Sequence, residues 1–146
     1  MEEIYKINAL KNCVNCNICC SSPYGSPFIL EEEVKKIQEY SKEKGLNDKL
    51  IPVDNHFEIE KKDNGDCGYL NEQGLCDIYE VRPLDCRIFP LGFTQTGGVG
   101  VCEICPEKEN LSDIFLETAP KTLIKYFGHI KDKLIEQSTK GGFIFK

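Results

Sequence analysis

The chain has 146 residues, nine cysteines and a formal net charge of −6, from 18 Lys and Arg against 24 Asp and Glu. Its Lys and Arg are scattered, which excludes the basic face that binding nucleic-acid phosphates requires. No stretch approaches the roughly 18 apolar residues of a membrane helix, and MEEIYKINAL lacks the basic start and apolar core of a secretory signal, so a cytoplasmic chain off the membrane is expected.

In chain order, residues 1–12 form a short lead-in and residues 13–29, rich in Cys, Asn, Ser, Pro and Gly, read as loop. Leu30, Val34, Ile37 and Tyr40 recur at three- and four-residue steps and predict a helix near 30–44. Glu31, Glu32 and Glu33 suit its N-terminus as a solvated face, and Gly45 suits its end. Alternation around Phe57 and Ile59 predicts a strand within 51–62, Asn64-Gly65 a tight hairpin turn, and Gly74 a second turn. His56 reads as a surface loop residue. LGFTQ, TGG and VGVCEI predict a small hairpin over 91–104, without the strand–glycine–helix context of a nucleotide site. Ser112 or Asp113 opens a second helical region that Pro120 interrupts, with Pro120 expected in the first turn of a last helix at about 120–137. Leu123, Ile124, Phe127, Ile130, Leu134 and Ile135 form its core-facing stripe, with His129 beside it. The tail GGFIFK has no assigned place.

The cysteines fall into three groups: Cys13, Cys16, Cys19 and Cys20 in CVNCNICC; Cys67, Cys76 and Cys86 in CGYLNEQGLCDIYEVRPLDC; and Cys102 and Cys105 in CEICP. A C-x-x-C turn aims two thiolates at one ion, and a tetrahedral site draws about four ligands from remote segments. The triplet Cys13, Cys16, Cys19 has iron–sulfur spacing, with a remote Cys as the closing ligand, either Cys105 before Pro106 or Cys86. Side chains of the adjacent Cys19 and Cys20 diverge, so the loop is expected to give three ligands to one centre and turn a fourth toward a second partner. An odd count and no export signal argue against a disulfide framework. A thioredoxin-like βαβ context for thiol redox chemistry is missing.

CVNCNICC, GDCGYL and CDIYEVRPLDCRIFP together resemble the zinc- or iron-chelating cysteine-cluster proteins named for a CxxCxxCC motif. The resemblance covers residues 13–90 discontinuously. It also extends to the cysteine-rich part of flagellin lysine N-methylases, which are linked to an iron–sulfur cluster. It implies metal ligation by Cys16, Cys19, Cys20, Cys67, Cys76 and Cys86. Cys13 matches the first Cys of the named motif, while Cys102 and Cys105 match a later family cysteine only loosely. Arg82-Pro83 and Arg87 fit supporting roles, the proline stiffening the turn into Cys86 and the arginines offsetting thiolate charge.

The expectation is a small, loop-rich α+β domain spanning 1–146, with few short strands and two main helices. Cysteine loops 13–20, 67–86 and 102–105 organise it around a Cys-ligated metal centre. The function expected is an all-cysteine metal site, a [4Fe–4S] cluster in electron transfer or in support of a protein-modifying enzyme. A structural zinc site in an interaction module is the rival, and a methyltransferase-related or thiol-redox enzyme the second. A protein partner is expected. Enzymatic activity is not, because no methyl-donor or nucleotide site is visible.

Overall fold

In the computed structural model the described residues are 20, 27–54, 56–106 and 108–146. They show an α+β chain of short antiparallel hairpins and helices, grouped in two units that divide after Cys86.

The first unit begins where Ile29 pairs with Phe57 through two backbone hydrogen bonds of 2.9 and 3.1 Å. Helix α1 (Glu31–Glu43) follows and stops at Gly45, whose φ of 72° only glycine adopts without strain. Its inward face carries Glu33, Ile37 and Ser41, one turn apart. Strands β1 (Leu50–Val53) and β2 (His56–Ile59) pair antiparallel, with Leu50 opposite Ile59 and Val53 opposite His56. Ile29, Ile37, Ile59, Tyr69, Ile78 and Val81 form the core against which these elements pack. Each such aliphatic side chain contributes about 1.5–3 kcal/mol of hydrophobic stabilisation.

Beyond β2 the chain makes turns rather than long elements. The Asn64-Gly65 turn closes through Lys62 and Asp66, with the Lys62 N–H on the Asp66 carbonyl at 2.9 Å. The Gly74 turn is held by the Asn71 side chain, whose Oδ1 accepts the Gln73 and Leu75 N–H groups at 3.0 Å each. Both turns stand where the sequence predicts them. His56 departs from expectation: it is 2% exposed, in a strand, with its ring stacked on Phe28 at 3.8 Å. The alternation around Phe57 hid it, because β2 is covered on its His56 side as well.

The short helix α2 (Leu84–Ile88) carries the chain across the division into the second unit. The chain then forms the expected hairpin, β3 (Leu91–Phe93) and β4 (Val99–Val101). Helix α3 (Asp113–Phe127) is capped by Ser112, whose Oγ accepts the Phe115 N–H at 3.1 Å. It packs against β3 and buries Phe115, Ala119, Leu123 and Phe127. Two expectations fail here. Pro120 lies inside α3 instead of opening the last helix, and that helix, α4 (Lys131–Gly141), is set off by a turn at Gly128–Ile130. A strong N-cap eight residues earlier starts the helix, and a proline inside it removes one hydrogen bond rather than the whole run. The helix phase set at Ser112 then turns Ile124 outward, 56% exposed, so it leaves the predicted stripe.

The tail finds its place beside β4, where Phe145 forms an isolated antiparallel bridge with Cys102. Val101 and Lys146 exchange both backbone hydrogen bonds, at 3.1 and 3.0 Å, and the Glu103 N–H donates to the Ile144 carbonyl at 2.9 Å. Gly100 allows this approach, since a Cβ there would fall 2.8–2.9 Å from the Lys146 backbone. Gly92, opposite it in register, lies under the Phe145 ring. Gly100→Ala is therefore expected to undock residues 143–146, at a cost of about 1–3 kcal/mol for overpacking. The check is hydrogen exchange: the Val101 and Lys146 amides should lose protection while α3 keeps it. Gly98→Ala is the control, its added methyl meeting only Thr94 Oγ1 at 3.6 Å.

Candidate metal centre

Four cysteines of the first unit converge. The Cys67 N–H donates to the Cys20 carbonyl at 2.8 Å, which joins Cys20 to the GDCGYL turn. The thiols of Cys20, Cys67, Cys76 and Cys86 lie within mutual electrostatic reach: Cys67 feels Cys20, Cys76 feels Cys20 and Cys67, and Cys86 feels all three. Among the described residues, no three His, Cys, Asp or Glu side chains stand in a geometry that could hold a metal ion as they are.

Two of the four sit in the same local device. At Cys67 the chain turns so that the Leu70 N–H reaches the Cys67 carbonyl at 3.0 Å, and the amides of Tyr69 and Leu70 point at the Cys67 sulfur. At Cys76 the Tyr79 N–H reaches the Cys76 carbonyl at 3.2 Å, and the Ile78 amide points at that sulfur. The two turns are tied by the Asp77 N–H on the Tyr69 carbonyl at 2.8 Å. Gly68 makes the first possible, because a Cβ there would lie 2.3 Å from the Glu60 carbonyl oxygen.

Burial opposes ionisation of these thiols. It pushes Cys67 up to about 11 and Cys76 up to about 12, and lifts Cys86 well above its ordinary value. The amides act the other way on Cys67 and Cys76, as do Lys62 on Cys67 and Arg82 on Cys76. Arg82 is buried, its guanidinium 3.9 Å above the Tyr79 ring and its Nε donating to the Tyr79 carbonyl at 3.0 Å. Arg87 is buried too, so neither arginine is a surface residue.

Cys86 is placed by two acids that the sequence reading took for ordinary helix residues or passed over. Pro83 makes the turn, its carbonyl accepting the Cys86 N–H at 3.0 Å. Glu33, 1% exposed, accepts the Leu84 N–H at 2.6 Å on one oxygen and the Leu30 N–H at 3.0 Å on the other. It thus ties the start of α1 to the start of α2. Asp85 accepts the Phe28 N–H at 2.8 Å and fixes α2 to the segment that leads into α1. Desolvation pushes Glu33 up to about 7 and Asp85 up to about 6, against the hydrogen bonds that lower both. The three-glutamate run signals a helix start, but only long-range packing selects its third member for burial.

Cys102 and Cys105 lie in the second unit, 0% and 3% exposed. Cys13, Cys16 and Cys19 fall outside the described residues. His129 is exposed on the turn before α4. No helix among the described residues is long and apolar enough to cross a membrane.

Compared with known families, residues 12–118 match the CxxCxxCC family, described as a putative zinc- or iron-chelating domain. No curated protein and no solved structure matches the chain. The likeness to flagellin lysine N-methylases is not reached by these comparisons.

Glu33 gives a measurable pH dependence in the metal-free, reduced chain. Its carboxyl titrates near 4.5 unfolded and near 7 folded, so between these values the folded chain holds the extra proton and stability falls as pH rises. From pH 6 to pH 8 this group alone should remove about 1 kcal/mol. Asp85 shifts in the same direction, but its window closes near pH 6. Urea unfolding of Glu33→Gln should lack that fall, and should show a loss of about 1–3 kcal/mol at pH 6 from the amide it leaves unpaired. An unchanged slope in the variant would remove Glu33 from this role.

Proposed function

We propose, for a chain that belongs to the CxxCxxCC chelating family, that Cys20, Cys67, Cys76 and Cys86 are the four thiolate ligands of one metal centre, and that the centre is a [4Fe–4S] cluster. The observation that carries the reading is the mutual approach of these four thiols, Cys67 and Cys76 on amide-lined turns, with Arg82 beside Cys76. The donor set fits the group: all sulfur, partly buried, with N–H groups and a guanidinium to offset charge on sulfur. A bound cluster would supply one-electron chemistry at modest reorganisation cost. The chain's own part is to keep water from the sulfurs, to hold Cys86 through Glu33 and Asp85, and to bias the potential through Arg82. Four ligands leave no open position for a substrate, which favours electron transfer or support of a protein-modifying enzyme over catalysis at the metal.

A structural zinc site is the second reading. Paired turns with amides on sulfur suit a tetrahedral four-thiolate ion equally well, and the family description names both metals. Anaerobic purification separates the two. A brown protein with iron and acid-labile sulfide supports the cluster, and a colourless one with stoichiometric zinc replaces it.

Either metal requires thiolates, while burial holds the metal-free Cys67, Cys76 and Cys86 thiols above their ordinary values. Zinc titrated into the metal-free chain at pH 7 should therefore release close to four protons per ion, read by calorimetry in buffers of different ionisation enthalpy. Cys86→Ser should release one fewer and bind at least about 100-fold more weakly. Release of two protons or fewer by the unmodified chain would show that the four cysteines do not act together.

A further inference from the structure

The groove that holds the tail is built by one part of the chain and filled by another. Its floor and edge, the β3–β4 hairpin and residues 101–103, lie within the segment that matches the family, whereas residues 143–146 lie beyond it. The seated tail shows what the groove accepts. Gly92 and Gly100 stand opposite each other in the hairpin and leave its floor bare, so the Phe145 ring occupies the place of a Gly92 side chain. Phe143, two residues earlier, meets Phe89 edge-on at 5.8 Å, and the Lys146 Nζ stands 3.1 Å from the Glu103 carboxylate. Ile144, between the two aromatics, is 51% exposed. The order accepted is aromatic, any, aromatic, basic. Val101 and Glu103 supply the edge with its backbone bonds to Lys146 and Ile144, and lifting the tail would free those groups. An edge with open donors and acceptors beside a bare apolar floor is a template for an added strand.

We propose that the edge at residues 101–103, with Gly92 and Gly100 as its floor, is a docking site for an extended segment of a protein partner, one with two aromatic side chains two residues apart and a basic residue after them, and that residues 143–146 are its built-in competitor. The site does not depend on the metal centre. The partner segment adds as a strand, main-chain bonds giving affinity and the two aromatic places giving specificity. Gly142, with φ of 82° just after α4, is the pivot on which the tail leaves. The Phe143 N–H stays tied to the Ser138 carbonyl at 2.9 Å, so release concerns residues 144–146 first. A second copy's tail gains nothing over the tethered one, which meets the groove at a far higher effective concentration, so the occupant is a segment that binds better than the tail does. Its apparent affinity falls by the fraction of chains whose groove is open, which makes the tail a threshold for docking.

The test uses the full chain and a labelled, N-acetylated peptide of sequence Gly-Phe-Ile-Phe-Lys as the probe, followed by fluorescence anisotropy. Phe143→Ala/Phe145→Ala empties both aromatic places and should bind the probe about tenfold or more tightly than the unmodified chain does. The isomeric peptide Gly-Ile-Phe-Phe-Lys puts one aromatic on the opposite face and should bind that variant about tenfold or more weakly. Should the double variant fail to fold, hydrogen exchange on the unmodified chain decides: excess probe should speed exchange at the Lys146 amide while Val101, bonded to the probe instead, keeps its protection. Equal binding of the two peptides, no gain in the double variant, or a Lys146 amide indifferent to the probe would overturn the proposal. A concentration-dependent dimer of the unmodified chain that the probe dissolves, read by light scattering, would make a second copy's tail the occupant and overturn the partner segment.

Discussion

A thiolate buried beside other thiolates is opposed twice, by desolvation and by like charge, and the amide N–H groups turned toward sulfur at Cys67, Cys76 and Cys102 act against both. That interaction shapes the backbone around it. To aim amides at its own cysteine, the chain must turn back within three residues, and a chain that turns back so soon cannot continue as a strand. The span from Cys67 to Cys86 accordingly holds tight turns at Cys67, Gly74 and Cys76 and a 3₁₀ turn before α2, and Gly68 stands where the first turn presses against the Glu60 carbonyl.

Loops built this way need a frame, and in the first unit part of it is electrostatic. Glu33 and Asp85 each accept backbone N–H groups that no helix or strand satisfies, and each draws a separate segment toward α2. Burial nevertheless wins over those hydrogen bonds at both acids, which places them near neutrality rather than in the ordinary carboxylate range. An apolar residue at position 33 would avoid the desolvation cost but leave the Leu84 and Leu30 amides without acceptors, and an unmet buried donor costs about 1–3 kcal/mol. The arrangement therefore trades some stability for the position of Cys86.

Local chemistry made the turns, hairpins and helix starts readable in advance. Asn64-Gly65, Gly74 and the 91–104 hairpin are specified by residues inside them, and so is the end of α1 at Gly45. What escaped was set at long range. Nothing near Glu33 distinguishes it from Glu31 and Glu32, and its partner Leu84 lies 51 residues away. His56 is buried by Phe28, and the tail is placed by two glycines in a distant hairpin. Among the cysteines, spacing signalled ligation and grouped them by segment, while the grouping in space follows the fold. Cys20 joins Cys67, Cys76 and Cys86 because the Cys67 N–H meets its carbonyl, a pairing that no spacing rule contains.

The same constraints bear on how a metal would act on the fold. Without a cation, burial keeps Cys67, Cys76 and Cys86 as neutral thiols, and the turns at Cys67 and Cys76 gain little from amides aimed at uncharged sulfur. Binding a cation converts each sulfur to a thiolate, and the hydrogen bonds already in place become charge-assisted, which roughly doubles their strength. A metal on these four thiols would therefore do more than join four points. It would strengthen the Tyr69, Leu70 and Ile78 amide contacts that define the turns, and through Cys86 it would draw on the anchors at Glu33 and Asp85. Stabilisation by the ion should reach past the ligands into α1 by way of Glu33, while β1, which carries neither a ligand nor a partner of these acids, should gain less.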